Sequence, residues 1–138
     1  MIYKKIIPTL LLLTLEYTFD KLIMHSQYED MVFNIQQSKM NVNNIFSFIS
    51  YILLIVKFNL TIFSHKVKKG DELKYSINHG LIEIFIFYLF IHLKLASIFD
   101  EWSITKMLIN ILGSTFIYFI CTYLGLKYIN NCDTKLKL

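Results

Sequence analysis

Four apolar stretches, each about as long as a bilayer is thick, constrain this chain more than any other feature. They run over residues 6–24, 45–63, 77–99 and 104–127. A helix needs roughly 20 apolar residues to cross about 30 Å of hydrocarbon. Only 17% of the residues are charged while 55% are hydrophobic, against roughly 25% charged in an ordinary soluble domain. That leaves too little polar surface to wrap a water-soluble globule, and too much apolar side chain for a disordered chain. The expectation is an all-α integral membrane protein: one domain over residues 1–138, built as a bundle of four antiparallel transmembrane helices, with the lipid bilayer as its partner.

The connectors refine this. Residues 25–44 form the longest and most polar one. Tyr28, Met31, Val32 and Ile35 recur there at helical spacing, which predicts a short helix lying on the membrane surface. Asn41, Asn43 and Asn44 then offer caps for the second span. Residues 64–76 form a basic loop with Gly70-Asp71 as its turn. Asp100-Glu101-Trp102-Ser103 is short and acidic, and so short a link makes spans three and four antiparallel neighbours. Lys4 and Lys5 before an apolar run resemble the start of a signal peptide. Glu16-Tyr17-Thr18-Phe19-Asp20 follows in place of a small-residue cleavage site, so an uncleaved first span is expected. Pro8 is placed in the first turn of that span.

All 14 basic residues are lysines, and the formal charge is +4. They are scattered between apolar runs rather than gathered on one face, which argues against nucleic acid. Counting them by side gives the orientation. Lys4, Lys5, Lys66, Lys68, Lys69, Lys74, Lys127, Lys135 and Lys137 fall on one side, and Lys21, Lys39 and Lys106 on the other. Both termini are therefore expected in the cytoplasm, with an even number of spans. Trp102 and Tyr28 suit the outer interface. Cys121 and Cys132 have no metal-ligand spacing and read as unpaired thiols. Cys121 with Gly125 forms a small-xxx-small pair, suited either to close packing within the chain or to the seam of a homo-oligomer.

Ionisable groups in hydrocarbon cost roughly 2.5–3.5 kcal/mol each on insertion scales, so each needs a reason. Lys57 and Lys94 lie near enough to span ends to snorkel. Glu16 lies about 15 Å into the first span, and Asp20 shares its face. In the third span His79, Glu83, Phe87, Phe90 and Lys94 line one face, with His92 roughly opposite Glu83. Asn110 and Ser114 sit four apart in the fourth. Glu16, Asp20, Glu83, His92, Lys94 and Asn110 thus make up a candidate intramembrane polar cluster. Within it, Glu16 or Asp20 would pair with Lys94 or His92 in the outer half. Such pairs either glue helices together or line a polar cavity that handles a proton, a cation or a small polar solute. No Ser/His/Asp arrangement, glycine-rich phosphate loop or His-x-Glu deaminase pattern is present, and His79 with Glu83 or His25 with Glu29 is only a weak metal or acid–base signal. No cofactor and no metal are expected, and an enzyme is disfavoured.

On these residues the chain resembles the short four-span membrane proteins grouped as domain of unknown function 2177, found in bacteria and some large DNA viruses. That family carries an acidic residue late in its first span and an aromatic about twelve residues on, as do Glu16 and Tyr28. Its third-span motif precedes a small residue and a Trp, matched by Phe90 to Ser97 and Trp102. Its fourth span has a polar residue before a Gly, as in Asn110 and Gly113. The Tyr, Asp and Asn of the third-span motif are not retained; His92 and Lys94 stand there. The resemblance implies a four-span membrane protein of unassigned activity. It leaves two functional expectations: binding or movement of a cation, proton or small polar solute, or a structural, scaffolding role in a cellular or viral membrane.

Overall fold

In a computed structural model, the described residues are 3–36, 44–99 and 102–135. They are helical almost throughout. The elements are α1 (Tyr3–Phe19), α2 (His25–Gln36), α3 (Asn44–Phe63), α4 (Glu72–Tyr75), α5 (Glu83–Ala96) and α6 (Ile104–Lys135). Two π-helical segments, Asp20–Met24 and Ser76–Ile82, join α1 to α2 and α4 to α5. The described residues therefore form four long rods. Three helices among them, Asn44–Phe63, Glu72–Ala96 and Ile104–Asp133, are long and apolar enough to cross a membrane. The rod beginning at Tyr3 carries Lys4, Lys5, Glu16, Asp20 and Lys21, and falls short of that apolarity.

The helix expected over Tyr28, Met31, Val32 and Ile35 forms, but not as a separate element. Residues 25–36 continue the first rod, and the backbone stays right-handed helical through Phe19 and His25. The join is a π turn, in which His25 N–H donates to Asp20 O, five residues back. Pro8 also differs from expectation. It stands inside α1 rather than in its first turn, and is buried against Gly125, where an added Cβ would lie 3.1 Å from the ring.

Side-chain pairs fix how the rods lie. Lys4 bonds Asp133, Pro8 packs at Gly125, Phe19 at Gly113, and Asp30 meets Lys106 at 3.5 Å. As one chain position rises the other falls, so the first rod and α6 are antiparallel along their whole contact. A Cβ at Gly113 would collide with the Phe19 ring, so glycine is what lets that ring lie on α6. The α4–α5 rod runs against α6 in the same sense: Glu72 accepts from Asn130, Gly80 lies on Thr122, and His92 meets Asn110. The close approach at Gly80, where a Cβ would stand 3.0 Å from Thr122 Oγ1, explains a glycine mid-rod. Asn59 to Thr9 and Tyr51 to Asp20 align α3 antiparallel to α1. α6 is the central element. Ser103 caps its start, its Oγ accepting from Lys106 N–H at 3.4 Å.

The core joins Leu12, Phe58, Ile62, Ile84, Tyr118, Cys121 and Leu126. Phe58 meets Tyr118 edge-on at 5.5 Å. Cys121 is fully buried and Gly125 is covered by Pro8, so this small-residue pair is used inside the chain. The outside is apolar: Leu10, Leu53, Phe87, Phe90, Leu112 and Phe116 are all more than half exposed. Soluble proteins rarely leave large apolar patches in water, and here apolar side chains on all four rods are exposed. The expected turn forms one residue earlier, centred on Lys69-Gly70: Asp71 N–H donates to Lys68 O at 3.0 Å, with Gly70 at φ 104. Lys39, Asn41, Asn43, Asp100, Glu101 and Lys137 lie outside the described residues.

Candidate functional site

Polar side chains gather at two levels of the bundle. The level away from the chain termini is built on Glu16. It projects from α1 toward α6 on the same strip as Pro8 and Leu12, at intervals of four. Glu16 is only 4% exposed. Ser114 Oγ donates to its Oε2 at 3.3 Å, while Oε1 is buried without a hydrogen-bond partner among the described residues. An unscreened carboxylate in so apolar a setting is costly unless a cation or proton accompanies it.

Within the same level, one helical turn further from the termini, Asn110 on α6 ties two other rods together. Its amide donates to Tyr28 Oη and lies 2.8 Å from His92 Nε2. An amide N–H can only donate, so Nε2 accepts and neutral His92 carries its proton on Nδ1. Among the described residues, that buried Nδ1 has no hydrogen-bond partner, nor has Trp102 Nε1. The Trp102 ring lies 6.1 Å from His92 and 6.3 Å from Tyr28. Tyr28 and Trp102 are thus parts of this interior cluster rather than free interface aromatics.

The π turn explains why Tyr28 reaches Asn110. In an unbroken α-helix, twelve residues place Tyr28 about 120° from Glu16. A π turn holds one extra residue and rotates the downstream helix back by about 100°. Tyr28 therefore returns to within about 20° of the Glu16 strip and faces α6.

Asp20 takes a different partner. Tyr51 Oη donates to its Oδ2 at 2.8 Å. The two residues line a cleft of about 570 Å³ between the first rod and α3, together with Tyr17, Tyr28 and His25. The expected pairing of Glu16 or Asp20 with Lys94 or His92 is therefore replaced: Glu16 goes to Ser114, Asp20 to Tyr51, and His92 to Asn110. Glu83 and Lys94 do share a face, but it is the outward one, with Phe87 and Phe90. Neither joins the Glu16 level.

Glu83 instead belongs to a second cluster nearer the termini. Its Oε1 lies 2.7 Å from His79 Nδ1 and its Oε2 3.5 Å from Lys57 Nζ. The His79 ring stacks with His65 at 6.3 Å and meets Tyr75 at 4.3 Å. Tyr75 Oη donates to Thr61 O, and the Thr61 and Tyr118 hydroxyls bond at 2.9 Å. Sequence reasoning did not bring His65 and Tyr75 into this cluster, nor Tyr51 to Asp20, because these contacts carry no local signal. Among the described residues, no group of three or more His, Cys, Asp and Glu side chains is placed to hold a metal ion.

No family model matches the chain, and no curated protein or solved structure matches it either.

Proposed function

We propose that this is a four-span membrane protein, with both termini cytoplasmic, whose outer interior binds or moves a cation, a proton or a small polar solute. The first rod is the fourth span in this reading. Its ionisable Glu16 turns inward, while Ile6, Ile7 and Leu10 face outward. The lysine asymmetry sets the orientation. The resemblance to the domain of unknown function 2177 family rests on Glu16 and Tyr28 of the first rod, the run from Phe90 to Ser97, Trp102, and Asn110 and Gly113 of α6.

The observation that carries the functional reading is Glu16: a buried carboxylate whose Oε1 has no hydrogen-bond partner among the described residues. Ion-pair glue would have brought it a lysine; among the described residues it has only the Ser114 hydroxyl. Ionisable groups kept inside spans without a countercharge mark ion and proton paths. The test is flux in proteoliposomes, read with pH-sensitive and monovalent-cation dyes. Glu16→Gln abolishes flux while the protein still reconstitutes, and Glu16→Asp retains part of it. Equal flux from wild type and Glu16→Gln removes the transport reading.

One observation favours a structural role. The polar contacts of Glu16, Asp20 and Asn110 each tie two or three rods together. In a scaffolding protein Glu16→Gln would change only resistance to detergent.

A further inference from the structure

The loop between α3 and α4 is remote from the Glu16 level and has its own chemistry. Its sequence is His65-Lys66-Val67-Lys68-Lys69-Gly70-Asp71-Glu72. A cleft of about 410 Å³ opens here, lined by His65, Lys66, Lys68, Asp71, Lys74 and Asn78 among others. Three ammonium groups and an imidazole thus face one hollow, against a single carboxylate.

The nearby Glu72 does not neutralise them. It is only 5% exposed and turned away from the cleft. Gly70 N–H donates to its Oε2 at 2.7 Å, and Asn130 Nδ2 donates to its Oε1 at 2.7 Å. The left-handed Gly70 makes that inward turn feasible. Glu72 is therefore used to lock the loop onto α6. Among the described residues Lys66, Lys68, Lys69 and Lys74 form no ion pair within 4.0 Å. A fixed loop with uncompensated cations around a hollow is an anion receptor, and the small hard anion that such a ring of N–H donors suits is phosphate.

We propose that this cleft binds a phosphate group, carried either by an anionic lipid headgroup at the membrane surface or by a soluble phosphate compound. Lys66, Lys68 and Lys74 supply charge, and His65 and Asn78 supply further hydrogen bonds. Lys69 belongs to the same loop but not to the lining, which separates a built site from general attraction.

The test uses the full chain in neutral detergent micelles, titrated separately with inorganic phosphate and with short-chain phosphatidic acid. Each lysine at such a surface is worth about fivefold in affinity. The double variant Lys68→Gln/Lys74→Gln weakens binding about 25-fold, while Lys69→Gln changes it less than about twofold. Binding of phosphatidic acid alone assigns the lipid source, and equal binding of both probes assigns the soluble one. No saturable binding of either probe, or an equal loss in Lys69→Gln and the lining variants, overturns the proposal. These residues are surface groups, so an unchanged elution profile and helical circular dichroism are expected. The Glu16 flux assay reads a different level of the bundle, so either result stands without the other.

Discussion

Replacing Asn110 by alanine is the sharpest probe of the outer cluster. Asn110 is nearly buried and bonds Tyr28 on the first rod and His92 on the α4–α5 rod. Its removal breaks two inter-rod hydrogen bonds at once. Such bonds in membranes average about 0.6 kcal/mol and reach about 1.7 kcal/mol, so Asn110→Ala costs about 1–3 kcal/mol in total. The assay is reversible unfolding in mixed micelles by rising SDS fraction, followed by circular dichroism. Leu112→Ala is the control: Leu112 is 57% exposed to the surroundings, and its loss costs under about 0.5 kcal/mol. A double-mutant cycle with Tyr28→Phe isolates one bond and should give a coupling of about 0.6–1.7 kcal/mol. Coupling indistinguishable from zero, with Asn110→Ala no worse than Leu112→Ala, would refute the bonded cluster. It would also refute the π-turn argument that brings Tyr28 to this face.

Two further measurements address the packing. Gly113→Leu drives a side chain into the Phe19 ring and should destabilise the bundle by about 1–3 kcal/mol; adding Phe19→Ala should recover part of the loss, and a neutral Gly113→Leu would put the register of the first rod on α6 in error. Cys121 is fully buried whereas Cys132 is partly accessible. Maleimide should therefore label Cys132 alone in the folded protein and both thiols after denaturation, and equal labelling rates in micelles would contradict the core placement of Cys121.

Some of this was legible residue by residue. Composition and the lengths of the apolar runs gave the helical class and the helices long enough to cross a bilayer, because transfer into oil depends on a segment's own side chains. The turn at Gly70 was equally local, though it is centred one residue earlier than the sequence suggested. Within one helix, relative angles were also readable: Glu83 and Lys94 do share a face, and His92 does lie away from it.

What the sequence could not decide was which face turns inward. A helical wheel has no absolute zero; neighbours set it. Glu83 and Lys94 point outward because the opposite face, with Gly80, Ile84 and His92, packs toward the core and α6. The partners of Glu16 and Asp20 are a serine on α6 and a tyrosine on α3, chosen by the depth at which the rods cross. Nor does periodicity register the extra residue at Asp20–Met24, since a π turn shifts phase without changing composition. That shift of about 100° swings Tyr28 from the membrane surface into the interior. Local chemistry selected the solvent and the rods; only the packing of one rod against another decided which polar groups meet.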